Sequence, residues 1–427
     1  MKQSFHLELQ TIRLDDVQFG NRTTLDGKTL IVSAEELASL ILEDKRIARV
    51  NIDLARPGEN VRIVHCLDAV EPRVKLEGPG VAFPGFLGGV ETVGRGKTLR
   101  LAGMSVLTAS RYPKPFEGLL AAREAIVDMS GPTRVYSPFS RVINLVLSFT
   151  PQPGLDNADY DDAVRRASLK VADRLARTAV GHAPDETTAF DSSTRDPNLP
   201  NVVYFYQLQG QGNLADTYLY GRTIENLVPS LIHPGEIMDG AIVSGVFVYA
   251  CFKNPTYLHQ NNPILWELQA RHATDLNFAG VIINRGHNYT QMEKERSSYW
   301  AAKLAGMLDA DGAILTVEGG GNSTIDTMLA CKYLEQRGIK TTMLSYESPG
   351  ADGRDFPLFY SVPEADAIVS IGSDEEEVSM PRVERVIGDD LLLDNTTPAS
   401  GPFSMRMYYQ YCATNQLGAN VLAGREF

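Results

Sequence analysis

The chain has 427 residues, 43% of them hydrophobic and 22% charged, with a formal net charge of −13. That length exceeds one small core and points to two or three domains at roughly 150 residues each. The acidic balance argues against a nucleic-acid partner, which needs a basic face, and no run approaches the ~18 apolar residues of a membrane span.

The opening, MKQSFHLELQ, mixes charge with apolar residues and has no signal-peptide pattern. Residues 5–9 and 29–32 alternate as strands do. Between this second run and residue 42, Ser33 and Glu36 have capping-box spacing, and Leu37, Leu40 and Ile41 share one helical face. Gly78 to Gly96 holds seven glycines and reads as a long functional or subunit-contacting loop. Val142 to Phe149 is strand-like. A helix is predicted from about Tyr160 to Val180, and residues 183–200, rich in Pro and Asp, read as a solvated connection.

Beyond Asn201, short apolar strands (201–207, 241–249, 279–284, 313–317, 341–345, 367–371) alternate with helical stretches. The helix near 292–308 puts Trp300, Leu304, Met307 and Leu308 on one side, and the one near 324–337 stops at Gly338. The predicted fold class is α/β: a β-rich N-terminal domain over 1–150, a helix and linker over 151–200, and an α/β domain with a mostly parallel sheet over 201–427.

In such sheets, ligands bind at the carboxyl ends of strands. One such end delivers Cys251 into a polar loop with Asn254, His259, Gln260, Asn261 and Asn262. A second is Glu318-Gly319-Gly320-Gly321-Asn322 before a helix, where glycines allow close backbone approach and the helix start favours an anion. A third carries Arg285. Cys251, His259 and Glu318 are the candidate catalytic residues. Asn254, Arg285, Gly319, Gly320, Gly321 and Asn322 are the candidate ligand contacts, with Arg285 or the glycine amides anchoring a carboxylate. Each has a plainer reading: Cys251 as a small core residue, His259 as a hydrogen-bonded structural histidine, the glycine loop as a simple turn. Cys251 and His259 could contribute to a zinc site, although their spacing fits no standard motif. None of the four cysteines (Cys66, Cys251, Cys331, Cys412) forms a CxxC pair; Cys331 falls inside a predicted helix as core. Reduced thiols and a cytoplasmic location follow. The charged, proline-containing turns Glu71-Pro72-Arg73 and Arg56-Pro57-Gly58-Glu59 read as ion-paired turns.

Eight strings in order resemble the substrate-binding subunit of the glycine/sarcosine/betaine reductase protein B component, a proprotein cut into two chains. They are residues 54–59 (LARPGE), 71–75 (EPRVK), 127–132 (VDMSGP), 236–245 (EIMDGAIVSG), 253–257 (KNPTY), 259–262 (HQNN), 294–296 (KER) and 413–415 (ATN). The resemblance implies an Asn-Cys pair after the Ile-Val-Ser-Gly string, whose cysteine becomes a pyruvoyl group that captures a substrate amine. Here Val246 and Phe247 stand at those positions, and Cys251 matches a second family cysteine. The expectation is therefore an intact chain without a pyruvoyl group. It would serve as a subunit of a reductase-like complex, binding a small nitrogen-containing carboxylic acid beside a partner subunit that bears a thiol or selenol. A redox-neutral, cysteine- or zinc-assisted hydrolase of a small amide or thioamide is the alternative, and a non-catalytic scaffold the third reading.

Overall fold

The computed structural model describes residues 5–116, 124–191, 194–212, 214–246, 249–350 and 352–420. Two four-stranded mixed sheets are built mainly from the N-terminal third. The first runs β9–β1–β6–β5, with β1 His6–Arg13, β5 Arg73–Glu77, β6 Gly96–Ala102 and β9 Glu186–Asp191. The second runs β2–β8–β7–β4, with β2 Ile47–Ala55, β4 Cys66–Val70, β7 Met104–Ala109 and β8 Ile143–Pro151. Each contains one parallel pair, β1 with β6 and β7 with β8. Alternating residues such as Leu101, Val106, Leu145 and Leu147 pack with Leu169 and Leu175 of helix α2, Asn157–Ala176. The residues expected as a solvated connection hold strand β9, which pairs antiparallel with β1. Its Phe190 is fully buried, an apolar anchor that the polar composition around it masks.

Helix α1, Ala34–Ile41, is capped as its spacing suggests, with Ser33 accepting from the Glu36 amide at 3.2 Å. The reciprocal half of the box is absent. Glu36 instead accepts from the Thr23 amide at 3.1 Å.

The large sheet runs β11–β12–β10–β13–β14–β15, with β10 Asn201–Gln209, β11 Ser230–Ile232, β12 Asn277–Gly286, β13 Gly312–Thr316, β14 Lys340–Glu347 and β15 Ile368–Ser373. Its strands are parallel except the edge strand β11. Both faces are covered, as parallel sheets require. One packs on α5 (Gln291–Met307) and α6 (Asn322–Glu335); the other carries Tyr204, Tyr206 and Leu208 into a core shared with Leu7, Leu9 and Phe190. The expectation of a mostly parallel C-terminal region needs correction. Small antiparallel sheets join 218–219 with 222–223 and 242–243, and 377–380 with 403–406. The molecule is a mixed α/β protein. Of residues 241–249, expected as one strand, the described ones place Ile242–Val243 in one of these small sheets.

Helix α5 turns its small residues, not the Trp300 side, to the core. Trp300 and Met307 are 47% and 69% exposed, whereas Ser298, Ala301, Ala302 and Ala305 are buried. Small side chains let α5 approach α6 and the sheet closely, which a count of large apolar residues misses. Cys331 lies in the core as expected, 3.2 Å from the Thr341 hydroxyl, and burial pushes its thiol up to about 11.

The C-terminal segment returns to the N-terminal region and joins a separate small sheet. Strand β16, Arg385–Ile387, pairs with β3, Val61–Ile63. Buried Arg62 binds both Asp128 oxygens at 2.7 and 3.0 Å and donates to the carbonyls of Pro381 and Ala399, each at 2.8 Å.

Candidate functional site

Strand β10 and the loop after β13 meet the short helix α3, Thr256–Gln260, through Tyr206 and Glu318. Helix α3 is held by long-range polar contacts. The Thr256 amide and hydroxyl donate to Asp68 at 2.9 and 2.7 Å. Gln260 exchanges side-chain bonds with the Glu71 backbone, accepting from its amide at 3.0 Å. Arg73, fully buried, pairs with Glu71 at 2.7 Å and donates to the Gln260 carbonyl at 3.0 Å. The Asn261 side chain accepts from Arg100 at 2.7 Å. Asn262 caps helix α4, Pro263–Arg271, and donates to Tyr204 at 3.0 Å. The amides that make the loop look functional are therefore mostly its fastenings, and the Glu71-Pro72-Arg73 turn is ion-paired as expected.

That fastening sets His259 over the sheet with no solvent exposure. Its Nδ1 hydrogen-bonds the Tyr206 hydroxyl. Its Nε2 faces Glu318 Oε1 at 3.5 Å, too far for a hydrogen bond. Glu318, also fully buried, accepts through its other oxygen from the Gln209 amide at 2.8 Å and the Thr217 hydroxyl at 2.7 Å. Among the described residues, His259 Nε2 and Glu318 Oε1 have no hydrogen-bond partner, nor do Gln209 Oε1, Gln416 Oε1 and Asn254 Nδ2. Unsatisfied polar atoms at this density are rare inside folded proteins and call for a guest molecule or water.

The glycine loop sits at the centre. The Gly319 carbonyl accepts from Gln416 at 2.8 Å, and a Cβ on Gly319, at φ +83°, would lie 2.8 Å from Gln209 Oε1. A Cβ on Gly320 would meet the Tyr346 hydroxyl at 2.8 Å and the Phe252 ring at 2.9 Å. The Gly321 amide donates to Tyr346 at 2.8 Å. Asn322 is turned away, donating to the Asn288 carbonyl at 3.2 Å. Asn254 accepts from Asn415 at 2.7 Å. Arg285 pairs in register with Leu208. Its Nε and Nη2 lack partners among the described residues, and its guanidinium lies 4.9 Å from the Tyr289 ring. Glu318 flanks Leu208 from the opposite strand, its amide bonded to the Gln207 carbonyl at 3.1 Å. Arg285 and Glu318 thus flank Leu208 from the two sides of β10.

Cys251 is not at a strand end. It lies in a 3-10 turn, Ala250–Phe252, fully buried in an apolar cluster with Phe252 and Tyr346. Burial pushes its thiol well above the usual range, so it stays protonated at neutral pH. Lys253 is also buried; its amine donates to the Gly245 carbonyl, and burial lowers its pKa against the raising pull of Asp68 and Glu318. Tyr206, Gln209, Gln416 and Lys253 were missed as site residues; the polar pair Gln207 and Gln209 closing an apolar strand was the available signal. Zinc finds a poor donor set. Among the described residues no group of three or more His, Cys, Asp or Glu is placed to hold a metal ion, and one His259 nitrogen is taken by Tyr206. Val246 is buried, its amide bonded to the Leu214 carbonyl at 2.9 Å, and Phe247 lies outside the described residues. No helix among the described residues is long and apolar enough to cross a membrane.

Near the ends of β14 and β15, buried Asp374 accepts from the Ser348 hydroxyl at 2.8 Å, and burial raises its pKa to about 7. Between its unfolded value near 3.9 and this folded value, the folded chain keeps a proton that the unfolded chain releases. Stability contributed by this group is therefore present at low pH and lost as pH rises to 7. Asp374→Asn is expected to raise unfolding free energy by about 4 kcal/mol at pH 8 and change it little at pH 4, as urea titrations at the two pH values will measure.

The site thus combines a fully buried imidazole and carboxylate with open hydrogen-bonding capacity, near strand ends of a mixed α/β fold, and a guanidinium one strand beyond. Residues 5–422 match the family described as glycine/sarcosine/betaine reductase component B subunits, and the chain belongs to that family. It is 39% identical to the glycine reductase complex component B subunits alpha and beta of Acetoanaerobium sticklandii, over 99% of this chain and 100% of the relative. Identity to the sarcosine reductase complex component B subunit alpha of Peptoclostridium acidaminophilum is 40%, over 90% of this chain and 89% of the relative. To the betaine reductase complex component B subunit alpha of the same organism it is 31%, over 99% and 100%. No solved structure matches.

Proposed function

We propose that this chain is the substrate-holding subunit of a cytoplasmic glycine/sarcosine/betaine reductase-like complex and works uncut, without a pyruvoyl group. Its ligand is a small nitrogen-containing carboxylic acid. Arg285 binds the carboxylate, and Glu318 and His259 face the nitrogen. A thiolate or selenolate of a partner subunit forms a bond to the α-carbon as the C–N bond breaks, and the electron pair leaves on nitrogen. An amine departs as a neutral molecule only from its protonated form. A buried carboxylate beside that nitrogen favours the charged form, and His259 can return a lost proton. The observation that carries this reading is the His259–Glu318 pair, fully buried with one unpartnered atom on each side. Valine and phenylalanine at 246 and 247 supply neither nucleophile nor leaving group for self-cleavage, so no step runs through a pyruvoyl carbonyl.

Two measurements test it. Intact mass of the purified protein is expected to show one chain of 46.9 kDa, and borohydride with an amino acid should leave no adduct; two fragments cut near residue 246 would refute the uncut reading. Assembled with its partner, the protein should release amine from small amino acids only when a dithiol reductant is supplied. Release without reductant would make it a hydrolase instead.

A further inference from the structure

Three unpartnered oxygens gather around one peptide. Gln416 commits its amide nitrogen to the Gly319 carbonyl at 2.8 Å, and Gln209 commits its own to Gln211 at 2.7 Å, leaving both side-chain oxygens without donors among the described residues. Glu318 Oε1, on the neighbouring residue, is the third. Glu318 and Gln416 are fully buried and Gln209 is 2% exposed. Only a glycine at 319 lets Gln209 Oε1 come this close to the chain. His259 Nε2 faces Glu318 Oε1 from 3.5 Å, out of hydrogen-bond range. A corner with three open acceptors and so few donors is incomplete without hydrogens brought by a ligand. A fully substituted nitrogen brings none, and would leave each oxygen buried and unpaired.

We propose that the Glu318–Gly319 corner recognises a nitrogen bearing N–H bonds, so that the ligand is a primary, secondary or tertiary ammonium carboxylate and not a quaternary one. This rests on the reductase-like reading and narrows its substrate class. The three named relatives divide on this property: glycine and sarcosine carry N–H bonds, whereas betaine does not. This corner places the chain with the first two.

The test is calorimetric binding of glycine, sarcosine, N,N-dimethylglycine and betaine to the intact protein, alone and with its partner, with NaCl and KCl as controls. Affinity is expected to fall as N–H bonds are removed, with betaine weaker than sarcosine by on the order of 10²-fold or more. In Glu318→Gln the gap between sarcosine and betaine should narrow; the wild-type series decides alone if that variant does not fold. Betaine binding as tightly as sarcosine would overturn this inference and leave the reductase-like reading standing. Binding of none of the four would overturn both. Competition of Na⁺ or K⁺ with sarcosine would assign the corner to a metal cation and overturn the inference.

Discussion

Glu318→Gln is expected to cut reductant-dependent amine release by the assembled complex about 10²–10⁴-fold, with little change in stability. The substitution keeps the shape of the side chain. Its remaining carbonyl oxygen can still accept from the Gln209 amide and the Thr217 hydroxyl, so the fastening of the loop survives. What disappears is the negative charge beside the ligand nitrogen and beside His259. His259→Gln should give a loss of similar size for a different reason: the amide can retain a bond to Tyr206 but cannot relay a proton. Because the two residues act on one nitrogen, the double variant should be little worse than either single one. Full additivity, or turnover within a few-fold of wild type in Glu318→Gln, would place the chemistry elsewhere.

Arg73→Ala is expected to lower unfolding free energy by about 3–5 kcal/mol, read as a fall in the urea midpoint. Glu71 would remain fully buried, its ion pair among the described residues reduced to Arg100 at 3.6 Å. The bonds to the carbonyls of Met238 and Gln260 would also be lost. Removing both charges by Glu71→Gln with Arg73→Met should cost less than Arg73→Ala alone, since no uncompensated ion is then left inside. The double variant should still lose activity, because α3 hangs from this pair and carries His259. A stable but inactive double variant separates the positioning role of the ion pair from its contribution to folding.

Much of the candidate site is legible in the sequence. His259, Glu318, Arg285 and Gly319 were picked out by chemistry at apolar-run ends, and the structure brings His259 and Glu318 face to face. Less legible was which polar residues are fastenings. Gln260, Asn261 and Asn262 look like ligand groups in the sequence, but their partners, Glu71, Arg73, Arg100 and Tyr204, lie far away along the chain, and only folding pairs them. Cys251 misleads for the opposite reason. A polar loop follows it in sequence, while Phe252 and Tyr346 surround it in space, and that apolar contact keeps its thiol protonated.

By itself, the amino-acid order determined local matters: where helices are capped, which runs alternate, the glycine loops, and the strings that mark the family. These follow from interactions within a few residues, whose geometry the backbone dictates. Tertiary structure alone decided the mixed sheet order, the small-residue face of Ser298, Ala301, Ala302 and Ala305, the pairing of β16 with β3, and the cluster of unpartnered atoms around Gly319. Each depends on desolvation and on contacts between segments distant in the chain, where the energy of a polar atom is set by what is packed against it and not by its neighbours in sequence.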